Sequence, residues 1–116
     1  MKYELFATLY QEALEYNDVE MYIAERGWQD WMDSFDNDKL GVVLTAVYSL
    51  ANMTIKEMRE SKKMSRAQFS RVYNIPIRTL ENWDAETRKM TSYDKMLIAY
   101  TFFMDGFLDK GGERNE

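Results

Sequence analysis

Residues 64–89 read MSRAQFSRVYNIPIRTLENWDAETRK, and this stretch decides the predicted fold. Ser65 and Gln68 form a capping box, a hydroxyl followed three residues later by Glu or Gln, which marks the start of a helix. Asn74 tolerates the left-handed backbone of a tight turn, and Pro76 suits the first position of a second helix over 76–84. Two helices crossing at a steep angle would bury five apolar residues between them: Phe69, Tyr73, Ile75, Leu80 and Trp83. The register predicts a helix-turn-helix.

Charge is unevenly distributed along the 116-residue chain. Residues 1–53 contain three basic and ten acidic residues, whereas residues 54–95 contain ten basic and six acidic residues. The overall net charge of −5 hides this difference. The segregation predicts a basic face that can meet phosphate groups, and a separate acidic region with another role.

The composition excludes several classes of function. The chain has no Cys and no His, so disulfides, thiolate or imidazole metal sites, and Ser-His or Cys-His catalysis are not expected. The acidic residues between Asp30 and Asp38 lack the spacing of a calcium loop. We therefore expect no enzyme, no catalytic residue, no metal and no cofactor. No apolar run approaches the roughly 18 residues of a membrane span, and the N-terminus lacks a signal-peptide core, which predicts a cytoplasmic protein without a membrane partner.

Apolar periodicity predicts helices along the rest of the chain. A first helix over 3–16 has its apolar stripe through Leu5, Leu9, Ala13 and Tyr16, with Phe6, Tyr10 and Leu14 beside it. A second helix over about 19–26 is expected to turn Val19, Tyr22 and Ile23 inward. A short helix or turn is expected around Trp28 to Phe35. The other predicted helices run from the Asp36–Asp38 cap to Ala51, from the Thr54/Glu57 capping box to about Ser61, and from Thr91 or Ser92 to about Leu108. The predicted class is all-α.

Residues from about Thr54 to Phe103 resemble the Xre-type, lambda-repressor-like helix-turn-helix family. The resemblance runs through IKEMRES, MSRAQFSRVYNIPIRTLENWD, TRKM and YDKMLIAY, and IPIRTLENWD is especially similar to small bacterial and phage regulators, including DNA-binding antitoxins. It implies a lambda-repressor-like bundle preceded by a small helical region. The expected domains are an acidic N-terminal region (1–53), a helix-turn-helix DNA-binding domain (54–109) and a flexible tail (110–116).

One departure from the family bears on the fold. The family commonly has Trp-Glu-Asn-Gly after its third helix, where this chain has Trp83-Asp84-Ala85-Glu86. Because the turn Gly is absent, the second helix of the motif is predicted to continue beyond Ala85.

The resemblance also implies roles for individual residues in binding double-stranded DNA. The residues expected to contact bases in the major groove are Ile77, Arg78, Glu81 and Asn82. The residues expected to contact phosphates are Ser65, Arg66, Arg71, Thr79, Arg88 and Lys89.

Two functions remain open from the sequence. The first is a sequence-specific transcriptional regulator, a homodimeric repressor or autoregulator. The alternative is an antitoxin-like protein-interaction module, in which residues 1–53 bind a protein partner and the helix-turn-helix is a scaffold or binds DNA weakly. A solvated helix face would also account for Arg78 and Asn82.

Overall fold

The computed structural model of the protein describes residues 1–26, 29–86 and 90–105. Within these ranges the backbone forms seven α-helices and one 3-10 helix, with no strand, which confirms the predicted all-α class. In chain order the elements are α1 (Tyr3–Ala13), α2 (Val19–Arg26), the 3-10 helix (Asp30–Ser34), α3 (Asn37–Ala51), α4 (Ile55–Ser61), α5 (Arg66–Tyr73), α6 (Ile77–Asp84) and α7 (Ser92–Phe102). None of these helices has the length and apolar character that crossing a membrane requires. Trp28, the predicted tail 110–116 and the predicted helix end near Leu108 lie outside the described residues.

The chain divides into two compact units. Unit 1 contains Met1–Asn52 and the chain from Ile98 onward, and unit 2 contains Met53–Leu97. Helices α1, α2 and α3 therefore belong to unit 1, and α4, α5 and α6 belong to unit 2. Residues 64–86 of the predicted helix-turn-helix motif lie in unit 2, whereas residues 98–105 of the predicted 54–109 domain belong to unit 1.

Unit 1 is built around α1, which packs against α2 and α3. The prediction placed its apolar stripe through Leu5, but Leu5 is only half-buried. Phe6, which the prediction placed beside the stripe, is fully buried, because its ring packs against Tyr100 at 5.2 Å and Phe103 at 5.4 Å between ring centres. The buried residues of α1 are Phe6, Leu9, Tyr10 and Ala13. The helix also ends at Ala13, three residues before its predicted end.

Two tyrosine hydroxyls form hydrogen bonds to backbone carbonyls near the junction of α1 and α2 in unit 1. The hydroxyl of Tyr22, which is fully buried as predicted, donates to the carbonyl of Leu9 at 3.0 Å. The hydroxyl of Tyr48 on α3 donates to the carbonyl of Tyr16 at 3.1 Å. Because the rings of Tyr22 and Tyr48 also lie 5.6 Å apart, the aromatic contact and the hydrogen bonds reinforce each other.

Helix starts carry the side-chain caps that the sequence predicts. Thr54 Oγ1 accepts from the Glu57 amide at 3.1 Å, and the Glu57 carboxylate accepts from the Thr54 amide at 2.9 Å, which completes the predicted capping box. Ser65 Oγ accepts from the Gln68 amide at 3.0 Å and caps α5, but the Gln68 side chain does not bind the Ser65 amide, so only half of the predicted capping box forms. At the start of α7, Thr91 Oγ1 accepts a hydrogen bond from the Asp94 amide at 3.0 Å. Each cap satisfies an amide that the helix cannot, which stabilises the start by about 0.5–2 kcal/mol.

Helix α6 ends where the sequence predicted that it would continue. The last helical residue is Asp84, the Glu86 amide donates to the carbonyl of Trp83 at 3.1 Å, and Glu86 has a φ of 60°. The prediction of a longer helix was wrong, because Glu86 adopts a left-handed backbone conformation, which a continuing helix does not allow. A non-Gly residue in this conformation costs of the order of 1 kcal/mol.

The buried phenol of Tyr10 predicts a loss of stability at high pH. Burial, and then the nearby phenol of Tyr3, raise the pKa of Tyr10 from 10.0 to about 12. Below pH 10 the phenol is neutral in the folded and unfolded chains alike; between pH 10 and about 12 only the unfolded chain releases the proton, so the folded state loses stability as pH rises. In urea unfolding, the difference in the free energy of unfolding between the wild type and Tyr10→Phe should be constant below pH 10. Above pH 10, the free energy of unfolding of the wild type should fall more steeply with pH than that of the variant. Parallel curves across this range would contradict the assignment.

Candidate functional site

A three-residue turn joins α5 and α6. Asn74 adopts the predicted left-handed conformation, with φ 56° and ψ 42°. Ser70 binds the far side of the turn twice: its carbonyl accepts from the Ile75 amide at 3.2 Å, and its hydroxyl donates to the Ile75 carbonyl at 2.6 Å. Pro76, with ψ 140°, is the N-cap, so the second helix begins at Ile77, one residue later than predicted. The turn thus has a defined backbone that sets the direction in which α6 leaves α5.

Two of the five predicted core residues of this helix pair are fully buried. Phe69 on α5 is 0% exposed and Leu80 on α6 is 1% exposed. Tyr73, Ile75 and Trp83 are half-buried. Tyr73 stacks on Phe69 with 4.5 Å between ring centres. Each of the two helices has eight residues, so they cover only the side chains nearest their crossing. Residues beside the turn and at the end of α6 therefore remain partly exposed to solvent.

The opposite side of α6 is open. Ile77 is 41% exposed, and Arg78 and Glu81 are also exposed. Thr79 and Asn82 are half-buried at the edges of this side. The structure therefore brings the four predicted base-contact residues to one helix, with three of them exposed and Leu80 buried beneath.

Four of the six predicted phosphate contacts lie on α5, at its start or on α6, among them Thr79 on α6. Ser65, Arg66 and Arg71 are exposed on α5 or at its start. Arg88 and Lys89 lie outside the described residues. The described members thus place two guanidinium groups on α5, the helix that precedes the open face of α6.

A buried carboxylate links α4, α5 and α6. Asp84 Oδ2 accepts from Arg59 Nη2 at 2.8 Å and from Arg66 Nε at 2.9 Å. The side chains of Arg59 and Asp84 are only 9% and 6% exposed, whereas that of Arg66 is 45% exposed. Arg59 Nη1 also donates to the carbonyl of Met64 at 3.3 Å, between α4 and α5. Asp84 is therefore a shared acceptor for cations from two other helices.

This cluster has a clear electrostatic consequence. The hydrogen bond to Asp84 raises the pKa of Arg66 above its ordinary value, against a smaller opposing effect of desolvation. In turn, two cations compensate a carboxylate at the C-terminal end of α6, where the helix dipole disfavours negative charge. The Arg66 predicted to bind phosphate is thus also part of the packing of unit 2.

Sequence reasoning missed Arg59 and Asp84, although two signals point to them. Asp84 lies at a helix C-terminus, where the helix dipole disfavours a carboxylate unless a cation lies beside it. Arg59 follows Ile55 by four positions and Met58 by one, which places it on the inward side of α4. Neither signal identifies the partner, because the two residues are 25 positions apart.

A groove of about 440 Å³ in unit 2 borders this cluster at Asp84. Burial lowers the pKa of Lys95 on the wall of the groove, and Glu57 opposes the shift. Its lining is formed by Thr54, Ile55, Lys56, Trp83, Asp84, Glu86, Met90 and Lys95. Two cationic and two anionic side chains line it, so the groove presents no excess of either charge.

The chemistry of unit 2 rests on hydrogen-bond donors and charge. The exposed face of α6 offers a guanidinium, a carboxylate and an apolar side chain, and α5 adds two further guanidinium groups. Within residues 1–26, 29–86 and 90–105, no three acidic side chains lie close enough together to hold a metal ion.

The chain was compared with known proteins: no protein-family model, no curated protein and no solved structure matches it.

Proposed function

We propose that the protein is a sequence-specific DNA-binding regulator that inserts α6 into the major groove. The observation that carries the proposal is the open face of α6, where Ile77, Arg78 and Glu81 are exposed while Leu80 anchors the helix from beneath. The major groove of B-DNA is about 12 Å wide and admits an α-helix. The resemblance of this stretch to the Xre-type, lambda-repressor-like helix-turn-helix family supports the same role.

The side chains on this face of α6 and at its edge have chemistry that suits base edges. Arg78 can donate two hydrogen bonds to guanine O6 and N7, and Asn82 can pair with adenine N6 and N7. Ile77 can contact a thymine methyl group, and Glu81 can accept from cytosine N4. In this proposal these four residues specify the sequence.

Charge supplies the rest of the binding. Residues 53–97 contain ten basic and six acidic residues. Ser65, Arg66, Arg71 and Thr79 would bind phosphates and fix the register of the protein on the duplex, as would Arg88 and Lys89. Binding that releases counterions weakens as salt rises. A homodimer would read two half-sites about 34–36 Å apart, one turn of DNA.

The named base contacts make a direct prediction. Arg78→Ala and Asn82→Ala should each weaken binding by about 1–3 kcal/mol and relax the preference for one base pair. Arg71→Ala, the matched control on the preceding helix, should weaken binding equally for all sequences and reduce the salt slope by about 1. The measurement is fluorescence anisotropy with a duplex that the wild type selects from a random pool, and with single-base variants of that duplex.

Two results would remove the proposal. One is the failure of the wild type to enrich any sequence from the pool. The other is unchanged affinity and unchanged base preference in both α6 variants, provided that their circular dichroism matches the wild type.

A second candidate is an antitoxin-like interaction module in which residues 1–53 bind a protein partner. The observation that favours it is the exposure of three apolar side chains, Leu14, Met21 and Val42, which are 48%, 47% and 60% exposed in a region of three basic and ten acidic residues. Such a surface suits a cationic partner with an apolar centre. The two candidates separate experimentally, since Arg78→Ala and Asn82→Ala should weaken DNA binding and relax its base preference but leave capture of that partner intact.

A further inference from the structure

The guanidinium of Arg66 is held through one particular nitrogen. The bond to Asp84 uses Nε at 2.9 Å, while the side chain as a whole remains 45% exposed. A guanidinium is planar and has N–H donors on all three nitrogens. Binding through Nε therefore fixes the plane of the group and leaves the donors of Nη1 and Nη2 for another acceptor.

The acceptor that holds Arg66 is itself fixed. Asp84 is 6% exposed and also accepts from Arg59 at 2.8 Å, and Arg59 is bound in turn to the Met64 carbonyl. Asp84 cannot follow Arg66 outward without leaving the buried Arg59 guanidinium uncompensated. The exposed guanidinium of Arg66 is thus bound to a buried carboxylate that a second cation also holds.

From this geometry we infer that Asp84 is a positioning residue, which presents Nη1 and Nη2 of Arg66 to a single DNA phosphate. The inference rests on the proposed function and deepens it, because it assigns one phosphate contact its geometry. Two parallel N–H donors match the oxygens of a phosphate, and the fixed plane lowers the entropy lost on binding. Arg66 also opens α5, and the N-terminus of a helix favours an anion.

The first test requires no DNA. Nitrogen-15 relaxation of the Arg66 Nε–H group in the free wild-type protein should show an ordered side chain, with Arg71 Nε–H on the same helix as the exposed reference. An order parameter below about 0.6, equal to that of Arg71, would show that Asp84 does not hold the group and would overturn the inference.

The second test asks whether geometry or charge alone matters at position 66. Arg66→Ala should lower affinity for the selected duplex by about 10- to 100-fold. Arg66→Lys keeps the charge but replaces three nitrogens with one, so it should lose nearly as much. Both variants retain the buried Arg59–Asp84 pair, so unit 2 should stay folded, as circular dichroism would check.

The outcomes separate the inference from the function on which it rests. Wild-type affinity in Arg66→Lys would mean that only the charge is needed and would overturn the positioning role while leaving DNA binding intact. Wild-type affinity in Arg66→Ala would overturn the phosphate contact itself. If the wild type binds no duplex, DNA binding fails, whatever the order of the Arg66 side chain.

Discussion

Replacing Asp84 with alanine is expected to lower the free energy of unfolding of unit 2 by about 3–5 kcal/mol. The change leaves the guanidinium of Arg59, 9% exposed, without the carboxylate that compensates its charge. A buried charge that loses its partner retains its desolvation cost, so the loss exceeds the net contribution of the pair. Urea unfolding followed by circular dichroism, with amide hydrogen exchange across residues 53–86, would measure the effect and assign it to unit 2.

Two comparisons sharpen this experiment. Glu60→Ala removes an exposed carboxylate from α4 and should change stability by no more than about 0.5 kcal/mol. The double variant Arg59→Met, Asp84→Leu removes both buried charges and should recover most of the loss, because apolar side chains of similar volume often replace a buried ion pair without destabilisation. An Asp84→Ala variant as stable as Glu60→Ala would show that water already reaches the Arg59 guanidinium.

Phe69→Ala should destabilise the same unit by about 3–5 kcal/mol, because it removes a fully buried aromatic ring and leaves a cavity between α5 and α6. The stacking contact with Tyr73 at 4.5 Å is lost as well. Val72→Ala is the matched control, since Val72 lies on the same helix and is 60% exposed. The control should stay within about 0.5 kcal/mol of the wild type.

The ratio of the two effects on α5 is the informative quantity. A small effect of Phe69→Ala would mean that the surrounding side chains collapse into the space, as happens where a core repacks easily. A large effect of Val72→Ala would mean that α5 packs by a different face. Denaturation midpoints of both variants at unchanged m-values would separate these results from changes in the unfolded state.

Local interactions account for the parts of the fold that the sequence predicts well. The Thr54/Glu57 capping box, the Ser65 cap and the left-handed Asn74 each involve residues within three positions of one another or a single backbone conformation. Such features follow from the side chain and its immediate neighbours. They are sufficient to define α4, α5 and the turn before α6.

Long-range interactions account for the rest. The stripe of α1 shifts to Phe6 because Tyr100 and Phe103, almost a hundred residues away, supply the surface that buries it. Asp84 is likewise explained only by cations that lie 25 and 18 positions earlier in the chain. Helical periodicity alone allows several such pairings, so the sequence predicts the open face of α6 better than the ion pairs behind it.

The connection between α5 and α6 is specified twice. Asn74 supplies the backbone conformation, while the hydroxyl of Ser70 donates to the Ile75 carbonyl. Replacing Asn74 leaves the serine hydroxyl in place, and replacing Ser70 leaves a residue suited to the left-handed turn. A single substitution at either position should therefore leave the angle between the two helices unchanged. The residues of this turn can be replaced one at a time while α6 keeps its orientation relative to α5.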